Sequence, residues 1–293
     1  MRVGLMLPQT ADAAGIPTLA ARAEELGFDL VACGEHVLFG SPTSNAFVTL
    51  AAAAAATTRV RLVSAVTLLP LYPPVLAAKM AATLDRVSGG RFELGIGVGG
   101  ENPVEFAASG VPVRERGRRT DAALDTLRAY LAGETVDVDG EPTRLDPLPT
   151  GSVPIWVGGR SEAAMRRAGR AGEVWMPYLC SPDRVARGLR LANDVAAEQG
   201  RPPVTGGLLA WSALAPSRAE ARTLAVGTLE RIYGQDMDRI VDACVPHGTA
   251  RDVVARFGEY AQAGAERILF APLCAEGGHA AAIEEVGAAL ASL

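Results

Sequence analysis

Three short stretches of this 293-residue chain carry side chains or bare backbone suited to chemistry. Glu35-His36 sets a carboxylate beside an imidazole, the side chain whose ordinary pKa lets it take up or release a proton near neutral pH. The same pair can equally be the polar turn of a solvated loop. Glu101 is a second titratable candidate, with a plain surface carboxylate as its alternative, and His279 is a third.

The stretch GRFELGIGVGGEN holds Gly90, Gly95, Gly97, Gly99 and Gly100 shortly before Glu101-Asn102. GIGVGG fits the GxGxxG spacing, but a dinucleotide fingerprint should open a helix at the first strand-to-helix turn. Here the glycines overlap a later apolar run, and Glu101-Asn102-Pro103 delays any helix. Gly97, Gly99 and Gly100 then have two open readings. They bare the backbone for a ligand, with consecutive N–H groups able to cup an anion, or they form a bend that packing requires.

The third stretch is Gly158-Gly159-Arg160-Ser161 at a strand-to-helix junction. Free N–H groups at a helix start, the Ser161 hydroxyl and the Arg160 cation make a phosphate seat. Ser161 as a simple N-cap is compatible with that role.

The elements that must position these groups follow a single rhythm. Apolar strand-like runs at 2–7, 28–34, 61–67, 92–96, 154–157, 173–176, 204–211 and 267–270 each precede a helical pattern. Clear helices are expected at 17–26, 46–56, 74–87, 116–131, 161–171, 182–198, 249–263 and 277–290, with another from near Ser217 and a small hairpin around Asp139-Gly140. Eight βα units predict an α/β fold, a (β/α)8 TIM barrel with insertion segments at its C-terminal mouth. A doubly wound open sheet differs only in closure, which the order of elements does not show. In a barrel, function sits on the loops after the strands. Those loops gather Pro8-Gln9-Thr10, Glu35-His36, 67–70, 97–102, 158–161, 177–181 and 271–279.

Composition narrows the function classes. Hydrophobic residues make up 49% of the chain, enough for a large core. No linker divides it, so one domain over residues 1–293 is expected. The net charge of −5 and the scattered arginines argue against a nucleic-acid partner. With no leader-like start and no apolar run of membrane-spanning length, a cytoplasmic protein with no membrane partner is expected. Four dispersed cysteines and three histidines offer no disulfide scaffold and no metal site.

Two longer segments are more specific than any glycine pattern: LLPLYPPVLAAKMAATLDRVSGGRFELGIGVGGEN and VPIWVGGRSEAAMRRAGRAGEVWMP. They resemble the luciferase-like monooxygenase superfamily, in its coenzyme F420-dependent branch, with Pro74, Ala78-Lys79, Ala82-Thr83-Leu84-Asp85, Ser88-Gly89-Gly90-Arg91, Gly95 and Gly97 in place. The likeness extends through Gly248-Thr249 to Ala271-Pro272. It implies a (β/α)8 barrel, usually a homodimer, that holds F420 or FMN at the C-terminal mouth. It further implies a cis peptide at Ala65-Val66 behind the cofactor ring, which places Ser64, Ala65 and Val66 in the cofactor site. Glu35, Gly97, Gly99, Gly100, Asn102, Gly158, Gly159, Arg160 and Ser161 join them. His36 matches the histidine near the ring carbon that exchanges hydride, and Glu101 matches an acid used by some relatives for proton transfer.

Three positions depart from the family pattern. Glu35 stands where Asp is common, Arg160 where Ser or Thr is common, and Glu173-Val174-Trp175 replaces Asp-Gly-Trp. The resemblance implies an F420-dependent oxidoreductase that moves a hydride between deazaflavin and a small organic substrate, with His36 and Glu101 catalytic. Its alternative is an FMN-dependent monooxygenase supplied with reduced flavin by a partner reductase. A cofactor carrier without turnover is a third class.

Overall fold

The computed structural model describes residues 1–8, 13–40, 42–274 and 278–292. Eight parallel strands form its centre: β1 (Arg2–Met6), β2 (Leu30–Cys33), β3 (Arg61–Ser64), β4 (Phe92–Gly97), β5 (Ile155–Gly158), β6 (Val174–Met176), β7 (Thr205–Leu214) and β8 (Ala265–Leu273). Each pairs with its sequence neighbour, and β8 returns to β1 in the register Arg2↔Arg267 to Leu5↔Phe270. That last pairing closes the barrel and excludes the open sheet.

The helices are α1 (Ile16–Glu25), α2 (Ala46–Ala56), α3 (Pro74–Val87), α4 (Pro103–Ala108), α5 (Arg116–Leu131), α6 (Glu162–Ala171), α7 (Pro182–Glu198), α8 (Arg218–Tyr233), α9 (Asp238–Cys244), α10 (Ala250–Gln262) and α11 (His279–Leu290). Their starts follow local chemistry. Asn45, Asn102, Ser161, Ser181, Ser217 and Thr249 each cap a helix by accepting a backbone N–H, and Ser217 and Thr249 complete capping boxes. Among the described residues no helix is long and apolar enough to cross a membrane.

Several boundaries differ from the sequence expectation. The run from Arg61 stops at Ser64, the Ala65-Val66 peptide that follows is cis, and a short strand at Thr67–Leu68 pairs with β4. β7 and β8 are longer than their apolar cores suggest, and β7 extends past the barrel to pair with His247–Gly248. The short helices α4 and α9 were not expected. Both lie in polar or mixed stretches where tertiary contact outweighs a weak local pattern.

The barrel interior is filled by Met6, Leu30, Val63, Trp156, Val174, Met176 and Leu269. Its N-terminal end is sealed by polar groups. Buried Glu93 accepts from Trp156 Nε1 at 2.5 Å, from Arg267 at 2.6 Å and from Arg61. A carboxylate buried there is sustained by its two guanidinium partners. The C-terminal mouth is the end left for a site.

Much of the motif that carries the family resemblance is scaffold. Buried Asp85 accepts from Thr150 N at 2.7 Å and from Thr150 Oγ1 at 2.6 Å. Arg91 donates to the carbonyls of Ala54, Thr57, Val60 and Ser88, which satisfies the end of α2 and the turn after α3.

Candidate active site at the barrel mouth

His36 lies just past the end of β2, where the mouth begins. Its Nδ1 is 3.2 Å from each carboxylate oxygen of Glu105, and Glu105 Oε2 also accepts the Val37 N–H at 3.0 Å. A carboxylate is acceptor only, so Nδ1 carries the hydrogen and Nε2 is left as the working nitrogen. Nε2 has no partner among the described residues. The imidazole side chain is 16% exposed, while Glu105 is fully buried. Phe39 stacks on the ring at 4.0 Å and 15°, which fixes its plane. Glu105 was not singled out from the sequence. The available signal was a carboxylate in the first turn of a short helix just after the Glu101-Asn102 loop, and only the fold brings it to His36.

Glu35 turns inward instead of toward the mouth. One carboxylate oxygen accepts the Leu68 N–H at 2.9 Å, and the other accepts from Tyr72 OH at 3.0 Å, Asn45 Nδ2 at 3.1 Å and Ala46 N at 3.3 Å. Burial pushes its pKa up, against the pull of these donors. Glu35 therefore ties β2, α2 and the strand at Thr67–Leu68 together through donors on both of its carboxylate oxygens.

Two other side chains are likewise committed to the frame. Ser64 is fully buried, its hydroxyl donating to Gly95 O at 2.8 Å and accepting Gly95 N at 2.9 Å. Asn102 caps α4 through its oxygen and donates Nδ2 to Leu38 O at 2.6 Å, so it fixes the loop carrying His36. Ala65 is nearly buried and its N–H goes to Cys33 O at 2.8 Å.

The glycines answer mainly to protein neighbours. A Cβ on Gly97 would lie 2.4 Å from one Val66 methyl, and a Cβ on Gly158 would lie 2.7 Å from the other. Val66 thus wedges between β4 and β5 and forms a half-buried apolar shelf at the mouth. Gly99 faces Leu68 and Phe106, and Gly100 faces Arg116. At Gly97, Gly99 and Gly100 an added Cβ would meet a protein side chain within 3.1 Å. Gly159 accepts Trp175 Nε1 on its carbonyl at 2.9 Å, which sets the turn before Arg160.

Ser161 caps α6, accepting Ala164 N at 3.3 Å. The Arg160 guanidinium lies 5.1 Å over the Tyr178 ring, and its carbonyl accepts from Arg184 at 2.9 Å. Tyr178 stacks with Tyr233 at 6.5 Å and 17°, and Tyr233 accepts from Trp211 Nε1 at 3.2 Å. Burial, then the nearby Glu101 charge, raises the Tyr178 hydroxyl. Glu101 is exposed at this side of the mouth and has no hydrogen bond to His36; the carboxylate on His36 is Glu105. His279 opens α11, and burial lowers its pKa. Gln9, Thr10 and residues 275–277 of the expected mouth loops lie outside the described residues.

The donor set suits a planar ring with an anionic chain. Val66 offers an apolar shelf, His36 an unpartnered ring nitrogen, and Arg160 and Ser161 a cation and hydroxyl beside it. Two buried polar atoms without hydrogen-bond partners among the described residues, Thr67 Oγ1 and Arg116 Nε, flank the exit of β4.

The model of the luciferase-like monooxygenase family matches residues 1–267. The chain spans little more than half the length of the curated relatives it matches. It is 36% identical over 167 residues to an uncharacterised protein of Mycobacterium tuberculosis, covering 55% of this chain and 57% of that protein. It is 31% identical over 199 residues to 4-hydroxyprotoasukamycin monooxygenase of Streptomyces nodosus subsp. asukaensis, covering 62% and 53%. Among solved structures, monooxygenase RslO1 from Streptomyces bottropensis superposes with a TM-score of 0.84 at 26% identity, covering 100% and 99% of the two chains. An F420-dependent secondary alcohol dehydrogenase holding an F420-acetone adduct superposes with a TM-score of 0.82 over 98% and 97%, and at 19% identity it speaks for the fold alone.

Proposed function

Because the chain belongs to the luciferase-like monooxygenase family, we propose that it is an F420-dependent oxidoreductase moving a hydride between the deazaflavin and a small organic substrate. The observation that carries this reading is the His36–Glu105 pair, a fixed imidazole whose free Nε2 stands at the mouth. Hydride transfer between an alcohol carbon and its carbonyl moves a hydroxyl proton as well, and that proton needs a positioned acceptor or donor.

When bound, the deazaflavin supplies the hydride chemistry, and the protein supplies position and proton handling. His36 Nε2 takes the substrate hydroxyl proton in oxidation and returns it in reduction. Glu105 holds the tautomer and steadies the imidazolium that forms. Glu101, exposed at the Tyr178 side of the mouth, is the second group proposed to relay the proton to water. Val66 supports the ring face, while Arg160 and Ser161 receive the phosphate.

The names of RslO1 and 4-hydroxyprotoasukamycin monooxygenase say monooxygenase, which supports a second reading of this chain as a monooxygenase; in that reading the proposed cofactor is FMN, taken in reduced form from a partner reductase. Titration with F420 and with FMN, followed by tryptophan fluorescence, separates the two. Micromolar FMN binding with no response to F420 replaces the first reading by the second. A protein that binds F420 but never oxidises its reduced form on a broad substrate panel is a carrier.

The same reading includes a homodimer. Helix α2 has no charged residue, Val48 on it is 70% exposed, and Val75 and Leu76 at the start of α3 are each 47% exposed. Light scattering on the native chain and on Val48→Glu tests this, with a monomeric native chain counting against it.

A further inference from the structure

An open cleft of about 570 Å³ lies between the first turns of α6 and α7, beside the mouth. Its walls include Arg160, Ser161, Arg184 and Arg187, with Met165 and Leu191 as apolar floor. Arg184 and Arg187 stand one helical turn apart on the same face of α7. None of the three guanidiniums forms an ion pair with a described carboxylate. Glu162, the one acid in the wall, is bound to Arg166 at 2.8 Å. Arg187 has no hydrogen-bond partner at all among the described residues, and Arg184 has only the Arg160 carbonyl.

The cleft is connected to the mouth through Arg160, whose side chain covers Tyr178 while its carbonyl holds Arg184. Its shape is set by packing: a Cβ on Gly188 would fall 2.2 Å from the Trp175 ring, so α7 rides close on β6 here. Three cations without an ion-pair partner among the described residues, in a space of ligand size, exceed what one terminal phosphate needs. They suit a chain bearing several anionic groups in series.

We propose that this cleft binds the oligoglutamyl tail of the deazaflavin cofactor, and that Arg184 and Arg187 are the residues that select F420 over FMN. This rests on the cofactor reading above and adds to it the residues that discriminate. FMN ends at its phosphate and leaves the outer cleft unused, whereas the tail of F420 continues past Arg160 to the two arginines on α7.

The test is a binding titration, read by tryptophan fluorescence, with F420, F420 stripped of its glutamates, and FMN, on the native chain and on Arg184→Gln/Arg187→Gln. Both substitutions are at exposed positions, and circular dichroism checks that the fold is kept. The native chain should bind tailed F420 about tenfold more tightly than the stripped form, the sum of two or three exposed charge contacts. That advantage should vanish at high salt and in the double variant. The stripped form and FMN should bind both proteins alike. Equal affinity of the native chain for tailed and stripped F420, or a double variant that keeps the tail advantage or loses both forms equally, overturns the cleft assignment while leaving the cofactor reading in place. A native chain that binds FMN and neither form of F420 overturns the cofactor reading and this one with it.

Discussion

His36 and Glu105 lie 69 residues apart in sequence, yet Nδ1 of the imidazole sits 3.2 Å from both oxygens of a fully buried carboxylate. The pair orients the ring as the acid–histidine pairs of many proton-transfer sites do. It also means that the acid serving His36 is held in α4, away from solvent, and is a separate group from exposed Glu101.

His36→Ala should lower turnover of an identified substrate by about a hundredfold or more, the usual span of general acid–base catalysis. Glu105→Gln should lower it by about tenfold, since the ring remains but its imidazolium loses a partner. Cofactor affinity should change little in either variant. Steady-state kinetics beside a binding titration checks this; a Glu105→Gln protein with the native rate and pH profile removes Glu105 from the mechanism.

Gly158→Ala should destabilise the fold by about 1–3 kcal/mol, the cost of overpacking a fitted contact. The added methyl would meet Val66 Cγ1 at 2.7 Å and Ile96 O at 3.3 Å. Adding Val66→Ala should recover part of that loss, because one of the two clashes disappears. Urea unfolding of the two single variants and the double variant measures the coupling, and strict additivity would show that Val66 is not the opposing group.

Glu35 should imprint a pH dependence on stability. Burial raises its pKa in the fold, so between the unfolded value, about 4.3, and the folded value the native state holds the extra proton. Stability contributed by this group is therefore present at low pH and falls as pH rises through that window. Depressed carboxylates such as Glu24 and Asp121 act in the opposite sense, so the quantity to follow is the difference between native chain and Glu35→Gln. That difference should shift in favour of the variant as pH rises from about 4 upward. A flat difference would show that Glu35 titrates alike in both states. At every pH the variant should be less stable, since an amide cannot accept from all four donors.

Asp85→Asn should cost about 1–3 kcal/mol through the loss of charged acceptance from Thr150, whose N–H and hydroxyl both point at one carboxylate oxygen. Cofactor affinity should stay near the native value. A variant of native stability with weakened cofactor binding would move this motif residue from the scaffold into the site.

The order of strands and helices was legible in the sequence because each element announces itself locally. Helices such as α2 and α7 stand between capping residues and apolar spacing, and the strands are short apolar runs between turn residues. Placement of His36 and of Gly158 to Ser161 at strand exits followed from that order. The family likeness supplied the cis peptide at Ala65-Val66, which the structure contains. What the sequence concealed were the partners. The polar atoms of Glu35, Ser64 and Asn102, which the family likeness puts in the cofactor site, engage Leu68, Gly95 and Leu38, and no local pattern announces those partners.

By itself, then, the sequence determined the periodicity, the number of βα units and the positions at which chemistry can stand. Those properties depend on residues a few places apart, whose side chains share a face or cap a helix. The tertiary structure alone decided that β8 pairs with β1, that Glu105 and not Glu101 holds His36, and that Val66 fills the space left by Gly97 and Gly158. These are contacts across tens to hundreds of residues. Local pattern carries no signal for them, because which strand closes the ring and which acid reaches the imidazole depend on how all eight units pack at once.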